Sequence, residues 1–91
     1  MKLRLTLAAE DDLAHIRDTI ASENPAAAER VQHSIARAIG LLKFFPNIGR
    51  TGTAEGTREK PVKSLPYVVV YTVEEDELIV LRIYHGAQSR P

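Results

Sequence analysis

The fold of this chain is decided near its C-terminus, by the stretch Tyr67-Val-Val-Val-Tyr-Thr-Val-Glu-Glu-Asp-Glu-Leu-Ile-Val-Leu-Arg-Ile-Tyr-His85. Two runs rich in Val, Ile and Tyr flank an acidic tetrad, a pattern that predicts a β-hairpin. The second run does not end in neutral residues but in Arg82, Tyr84 and His85, just before Gly86. Hydrogen-bonding and titratable side chains at the end of an apolar strand make this region a candidate functional site. An ordinary solvated strand end would look the same.

A tight turn at Glu75-Asp76 predicts how the two strands pair. Without a bulge, Val68 faces Ile83, Val70 faces Leu81 and Thr72 faces Ile79, and we expect this apolar face to cover the helices. The other face then carries Tyr67, Val69, Tyr71, Val73, Leu78, Val80, Arg82 and Tyr84. Because that face is too apolar for solvent, we predict a docking surface there. A bulge would exchange the faces locally.

Helical signals precede this hairpin. Residues 2–6 alternate polar and apolar side chains, which predicts a short strand. Apolar residues then recur at helical spacing and predict a helix of about 15 residues; they are Ala9, Leu13, Ile16 and Ile20. Asn24-Pro25 is a start signal for a second helix of about 20 residues that ends at Phe45-Pro46. The short connection predicts an antiparallel helical hairpin.

The segment between the second helix and the hairpin is rich in Gly and Thr. We expect a loop over residues 46–57 and a strand over residues 58–63, with Pro61 at an edge or a bulge because it cannot donate a hydrogen bond. The predicted order is β-α-α-β-β-β over residues 1–91. This is a single α+β domain with a helical hairpin packed on a mainly antiparallel four-stranded sheet.

The composition excludes several classes of function. The chain has 12 basic and 12 acidic residues and no cysteine. Proteins that grip many phosphates are usually basic overall, so this balance disfavours broad nucleic-acid binding. Without an apolar run long enough to cross a bilayer or a thiol to oxidise, we expect a cytoplasmic protein with no membrane partner. His15 and His33 lack a matching cluster, so we expect neither a metal nor a cofactor.

Five short segments of the sequence carry a resemblance to a known family, and they occur in the same order as in that family. They are Asn24-Pro-Ala-Ala-Ala28, Leu41-Leu-Lys-Phe-Phe-Pro-Asn-Ile-Gly-Arg50, Gly56-Thr-Arg-Glu59, Pro66-Tyr-Val-Val-Val-Tyr71 and Leu81-Arg-Ile-Tyr-His-Gly-Ala87. Together they resemble the RelE/ParE superfamily of bacterial toxins over nearly the whole chain. The resemblance implies the toxin of a type II toxin–antitoxin, or plasmid-stabilisation, module. It also implies neutralisation by a cognate antitoxin protein.

The superfamily implies two mechanisms, and the sequence leaves both open. RelE-like members cut messenger RNA on the ribosome without a metal, and here Arg58, Arg82 and His85 would be the catalytic residues. ParE-like members inhibit DNA gyrase and are not known as nucleases. Val68 and Gln88 stand where ribonuclease members often carry basic residues, so the ParE-like mechanism is favoured. A non-toxic binding module is a further alternative.

For the favoured mechanism, the sequence predicts two partner-binding surfaces. One is the open sheet face with Tyr67, Tyr71, Arg82 and Tyr84, and the other is an apolar helical groove containing Leu13 and Ile16. Structural roles compete with these assignments: Arg58 could brace an edge strand, and His85 could close the sheet through a backbone hydrogen bond.

Overall fold

A computed structural model of the chain describes residues 1–86, and Gln88 therefore lies outside the described residues. The structure contains two helices and five strands, which are β1 (Lys2–Leu5), α1 (Leu7–Ala21), α2 (Pro25–Phe44), β2 (Arg50–Thr51), β3 (Arg58–Pro61), β4 (Tyr67–Glu74) and β5 (Glu77–His85). The two helices pack on one sheet, so the predicted α+β class is confirmed.

The sheet has five strands in the order β1-β5-β4-β3-β2, not the four that we predicted. β1 runs parallel to β5, and every other neighbouring pair is antiparallel. The additional strand is β2, which lies in the segment predicted as a loop. It has two residues, Arg50 and Thr51, and is too short to leave an alternating pattern in the sequence. Pro61 lies beyond the end of β2, where its missing N–H faces no neighbouring strand.

Both helices have the predicted lengths, 15 and 20 residues, because local signals fix their ends. The Asn24 side chain accepts a hydrogen bond from the Ala27 N–H at 3.1 Å and caps α2, with Pro25 at its first position. Thr6 caps α1 in the same way by accepting from the Ala9 N–H at 3.1 Å. Its hydroxyl also donates to the Leu81 carbonyl at 2.8 Å, which ties the start of α1 to β5.

The β4–β5 hairpin has the predicted turn but only half of the predicted register. Glu74 pairs with Glu77 across Glu75-Asp76, and Thr72 pairs with Ile79 as expected. The register then shifts between Val70 and Tyr71 because Leu81 is an extra residue in β5. The predicted pairs of Val70 with Leu81 and of Val68 with Ile83 are therefore wrong. The observed partners are Arg82 and Tyr84.

The helices cover the opposite face of the hairpin from the one that we predicted. The core that packs beneath them contains Val69, Tyr71, Leu78, Val80 and Ile83. The bulge at Leu81 turns Ile83 toward the helices, although parity alone would place it on the other face. Both faces of the hairpin are rich in Val and Ile, so apolar patterning could not distinguish them.

Candidate functional site

The end of the hairpin and α1 enclose a cleft of about 650 Å³. Its walls contain several of the predicted site residues together with polar groups of α1; the lining residues are Asp11, Asp12, His15, Ile16, Thr19, Tyr67, Arg82, Ile83, Tyr84 and His85. Arg82 and His85 thus share one cleft, as the ribonuclease hypothesis requires. Arg58, the third residue of that hypothesis, does not line the cleft.

Asp12 of α1 neutralises Arg82 within this cleft. The Arg82 guanidinium donates from Nε to Asp12 Oδ2 at 2.8 Å and from Nη2 to Asp12 Oδ1 at 3.1 Å. This hydrogen-bonded pairing, reinforced by the charge of Asp12, raises the pKa of Arg82 above its ordinary value. The guanidinium carbon also lies 5.5 Å from the centroid of the Tyr84 ring. The cation is therefore held by the protein's own side chains.

His85 is packed edge-on against Tyr67. The two ring centroids are 5.6 Å apart and the ring planes are 86° apart, a favourable aromatic geometry. Immediately after His85, the Gly86 N–H donates to the Pro66 carbonyl and closes the base of the hairpin. The Gly86 N–H therefore contributes a backbone hydrogen bond at this strand end.

Arg58 braces the loop that follows α2. Its Nη1 donates to the Gly49 carbonyl at 2.8 Å and to the Asn47 carbonyl at 3.3 Å. In the sheet, Arg58 lies opposite Tyr71, whereas His85 lies opposite Tyr67. Four residues of β4 separate these positions, which is about 13 Å at the usual rise of a strand. The three predicted catalytic residues are therefore not gathered into one site.

Most of the side chains predicted to form an open sheet face are buried. Tyr71 is fully buried; its hydroxyl donates to the Pro46 carbonyl at 2.7 Å and accepts from the Gly49 N–H at 3.0 Å. Tyr67 is half-buried against the core, and Tyr84 is buried. The prediction that these tyrosines line an open docking face is wrong, because the helices cover the face that carries Tyr67 and Tyr71. Of the four predicted residues, only Arg82 is exposed.

A larger concavity lies between the helices and β1, and we call it the helix groove. It measures about 1460 Å³ and is lined mainly by Leu3 and Leu5 of β1, Leu13 of α1, and α2 from Pro25 to Ile39. Leu13, one of the predicted groove residues, lines it. Ile16, the other, is buried in the core. Sequence reasoning missed Leu3, which is 40% exposed although its neighbours in β5 are buried.

Within residues 1–86, no three His, Asp or Glu side chains are placed to hold a metal ion. In the same part of the chain, neither helix is long and apolar enough to span a membrane.

Comparisons with known proteins identify the family. The family described as "ParE toxin of type II toxin-antitoxin system, parDE" matches residues 3–90. The Y4kP protein of Sinorhizobium fredii is 33% identical over 90 residues, covering 99% of this chain and 93% of its own. Toxin RelE2 of Caulobacter vibrioides is 36% identical over 77 residues, covering 85% of each chain.

Solved structures agree with these sequence matches. A chain of the chromosomal ParDE toxin–antitoxin system of P. aeruginosa superposes with a TM-score of 0.85 at 25% identity, over 93% of this chain and 95% of that one. The RelBE2 toxin–antitoxin complex of Mycobacterium tuberculosis shares the fold, with a TM-score of 0.62 at 22% identity, over 96% and 92% of the two chains. This chain therefore belongs to the ParE toxin family of type II toxin–antitoxin systems.

Proposed function

We propose that this toxin acts in the cytoplasm by inhibiting DNA gyrase and that a cognate antitoxin neutralises it by binding in the helix groove. Membership of the ParE family supports the gyrase target, since ParE-like toxins are the gyrase-directed branch of the superfamily. The helix groove supports the antitoxin partner because it is a long, largely apolar concavity next to the exposed Leu3.

The positions and contacts of Arg58 and Arg82 favour gyrase inhibition over RNA cleavage. Metal-free RNA cleavage requires positive charge directed at one phosphate in the transition state. Here the Arg58 guanidinium is bound to loop carbonyls, and Arg82 is paired with Asp12. A phosphate at Arg82 would have to displace Asp12, and Arg58 does not line the cleft that contains Arg82.

Purified protein should separate the mechanisms directly. We expect inhibition of gyrase supercoiling at toxin concentrations that leave an in vitro translation reaction intact. Induction in cells without antitoxin should arrest growth with DNA breaks and an SOS response. Cleavage of ribosome-bound message with intact supercoiling would instead assign the RelE-like mechanism, and no growth effect would assign a non-toxic binding module.

One observation favours the ribonuclease as the second candidate: Arg82 and His85 line the same cleft of about 650 Å³. The double variant Arg82→Ala/His85→Ala tests this candidate. Under the gyrase mechanism, the variant should inhibit supercoiling like the parent, provided that its thermal unfolding shows a folded protein. A nuclease would lose its message-cleaving activity.

The antitoxin site has its own test. Leu3→Glu places a charge on the apolar wall of the helix groove, at a position exposed enough to tolerate it. We expect antitoxin affinity to fall by about tenfold or more because the charge would be desolvated in the complex. Supercoiling inhibition should persist. Glu10→Gln, an exposed change on α1 outside the groove, is the control and should leave antitoxin binding unchanged.

A further inference from the structure

The end of α2 leaves large apolar side chains in solvent. Phe44 is 80% exposed, Phe45 56%, Ile48 45% and Leu41 43%. Leu41 and Phe44 are three residues apart on the last turn of α2 and therefore lie on one face of the helix, whereas Phe45 and Ile48 follow just after the helix ends. Exposed side chains of this size, two of them phenylalanines, have no role in the core of this domain. Large exposed apolar side chains grouped in this way mark interaction sites.

Leu41 and Phe44 border a second concavity, which we call the basic groove. It measures about 780 Å³ and lies between the end of α2 and β3, with Leu41, Phe44 and Val62 as apolar lining. Its charged lining consists of Arg37, Lys60 and Lys63, with no acidic side chain among the described residues. Within residues 1–86, none of these three cations forms an ion pair.

The apolar and basic lining of the basic groove indicates which kind of partner it binds. An apolar floor with a basic rim complements an acidic segment of protein that carries an apolar anchor. A second copy bound symmetrically through this surface would bring cations against cations. Nucleic acid fits less well because three cations on a chain of zero net charge make a small electrostatic footprint.

The two grooves adjoin along α2. They share Ser34 and Arg37, so an occupant of one lies against an occupant of the other. The helix groove carries Glu29 beside Arg17, Arg30 and Arg37, whereas the basic groove has no acidic side chain in the described residues. Two neighbouring surfaces suit two different partners, and a toxin requires two: its antitoxin and its target.

We infer that the basic groove docks an acidic, apolar-anchored segment of the toxin's target protein. The antitoxin in the adjoining helix groove then blocks docking at Arg37. This inference rests on the proposed function for the identity of the target, gyrase. It extends that function by assigning the docking surface and by giving neutralisation a steric mechanism.

Binding measurements with purified gyrase test the inference. Phe44→Ser removes the exposed anchor site, and Lys60→Glu/Lys63→Glu reverses the rim. We expect each to weaken gyrase binding by about tenfold or more and to reduce growth arrest in proportion. Antitoxin affinity should change by no more than about twofold, because these residues do not line the helix groove. Leu7→Ser (79% exposed) and Lys2→Glu are the matched controls and should bind gyrase like the parent.

Other outcomes would overturn the inference. Gyrase binding and growth arrest at parental levels in all folded variants would remove the basic groove as a docking surface. Equal losses of antitoxin affinity would make the antitoxin its occupant. Single-stranded RNA that binds the parent but not Lys60→Glu/Lys63→Glu would make the partner a nucleic acid.

The proposed function can fail separately. A parent protein that arrests growth without binding gyrase contradicts the gyrase target. Growth arrest then tests the basic groove independently of gyrase. If Phe44→Ser and Lys60→Glu/Lys63→Glu lose growth arrest, while the control variants still arrest growth and the parent does not bind RNA, the groove docks another protein target. Retained arrest overturns it.

Discussion

Asp12 illustrates how one side chain can hold two elements together. Its carboxylate accepts two hydrogen bonds from Arg82 and a third, at 2.8 Å, from the Ile83 N–H. Because β1 ends opposite Val80, this N–H lies on a stretch of β5 edge that β1 does not cover. A carboxylate from α1 thus replaces a strand partner. Asp12 lies beyond the first turn of α1, and its hydrogen bonds give it a tertiary role.

We predict that Asp12→Ala destabilises the fold more than Arg82→Ala does. The first change leaves the Ile83 N–H unsatisfied and removes a carboxylate whose side chain is only 16% exposed, at a cost of about 1–3 kcal/mol. The second removes a guanidinium that is 44% exposed and costs about 1 kcal/mol or less. Urea denaturation of both single variants and the double variant measures the coupling. Equal losses would mean that the hydrogen bond to Ile83 contributes nothing.

The Tyr71 hydroxyl is a second single-residue contact that supports the fold. It is buried between the Pro46 carbonyl and the Gly49 N–H, so Tyr71→Phe leaves both groups without a partner. We expect the free energy of unfolding to fall by about 1–3 kcal/mol. Tyr84→Phe is the matched control, because no hydrogen bond of its hydroxyl is seen within residues 1–86, and it should be nearly neutral. Chemical denaturation of the two variants decides the comparison.

At the scale of elements, Thr6 links the start of α1 to the bulge in β5. Its hydroxyl oxygen caps the helix and also donates to Leu81, the extra residue of the bulge. Thr6→Ala loses both bonds, whereas Asn24→Ala at the start of α2 loses a cap alone. A lost cap costs about 0.5–2 kcal/mol, so we predict a larger loss of stability at Thr6. Thr6→Ser keeps the hydroxyl and should retain most of the stability in thermal and urea unfolding.

The accuracy of sequence prediction here depended on whether a signal was local. Helix α2 could be placed because Asn24, Pro25 and the apolar spacing all lie within the element itself. The face of β4 that packs against the helices could not be predicted, because Val68 and Val70 are as apolar as Val69. The bulge residue Leu81 accepts a hydrogen bond from Thr6, which is distant in sequence.

The candidate site was partly predictable for the same reason. Arg82 and His85 are close in sequence on one strand, and the structure places them in one cleft. The hydrogen bonds of Arg58 could not be predicted because they depend on the conformation of the loop that presents the Asn47 and Gly49 carbonyls. Nor did the sequence, which predicts that the second helix ends at Phe45-Pro46, indicate that Phe45 would be 56% exposed.

On the scale of the whole molecule, a partner in the helix groove should stabilise the toxin itself. A chain of 91 residues has a small core, and the groove leaves part of the apolar surface of β1 and α2 uncovered. A ligand that binds only the folded state, at 100 times its dissociation constant, adds about 2.7 kcal/mol to the free energy of unfolding. For a domain of this size that corresponds to a rise in Tm on the order of 10–20 °C.

We therefore predict a large rise in the Tm of the toxin when purified antitoxin is added in excess, measured by calorimetry or a dye-based melt. The rise should grow with antitoxin concentration, as mass action requires. Leu3→Glu should unfold near the parental temperature when alone, because Leu3 is 40% exposed, yet show little of the rise with antitoxin. Phe44→Ser should show the full rise, since Phe44 lines the basic groove and not the helix groove. A full rise for Leu3→Glu would place the antitoxin elsewhere on the molecule.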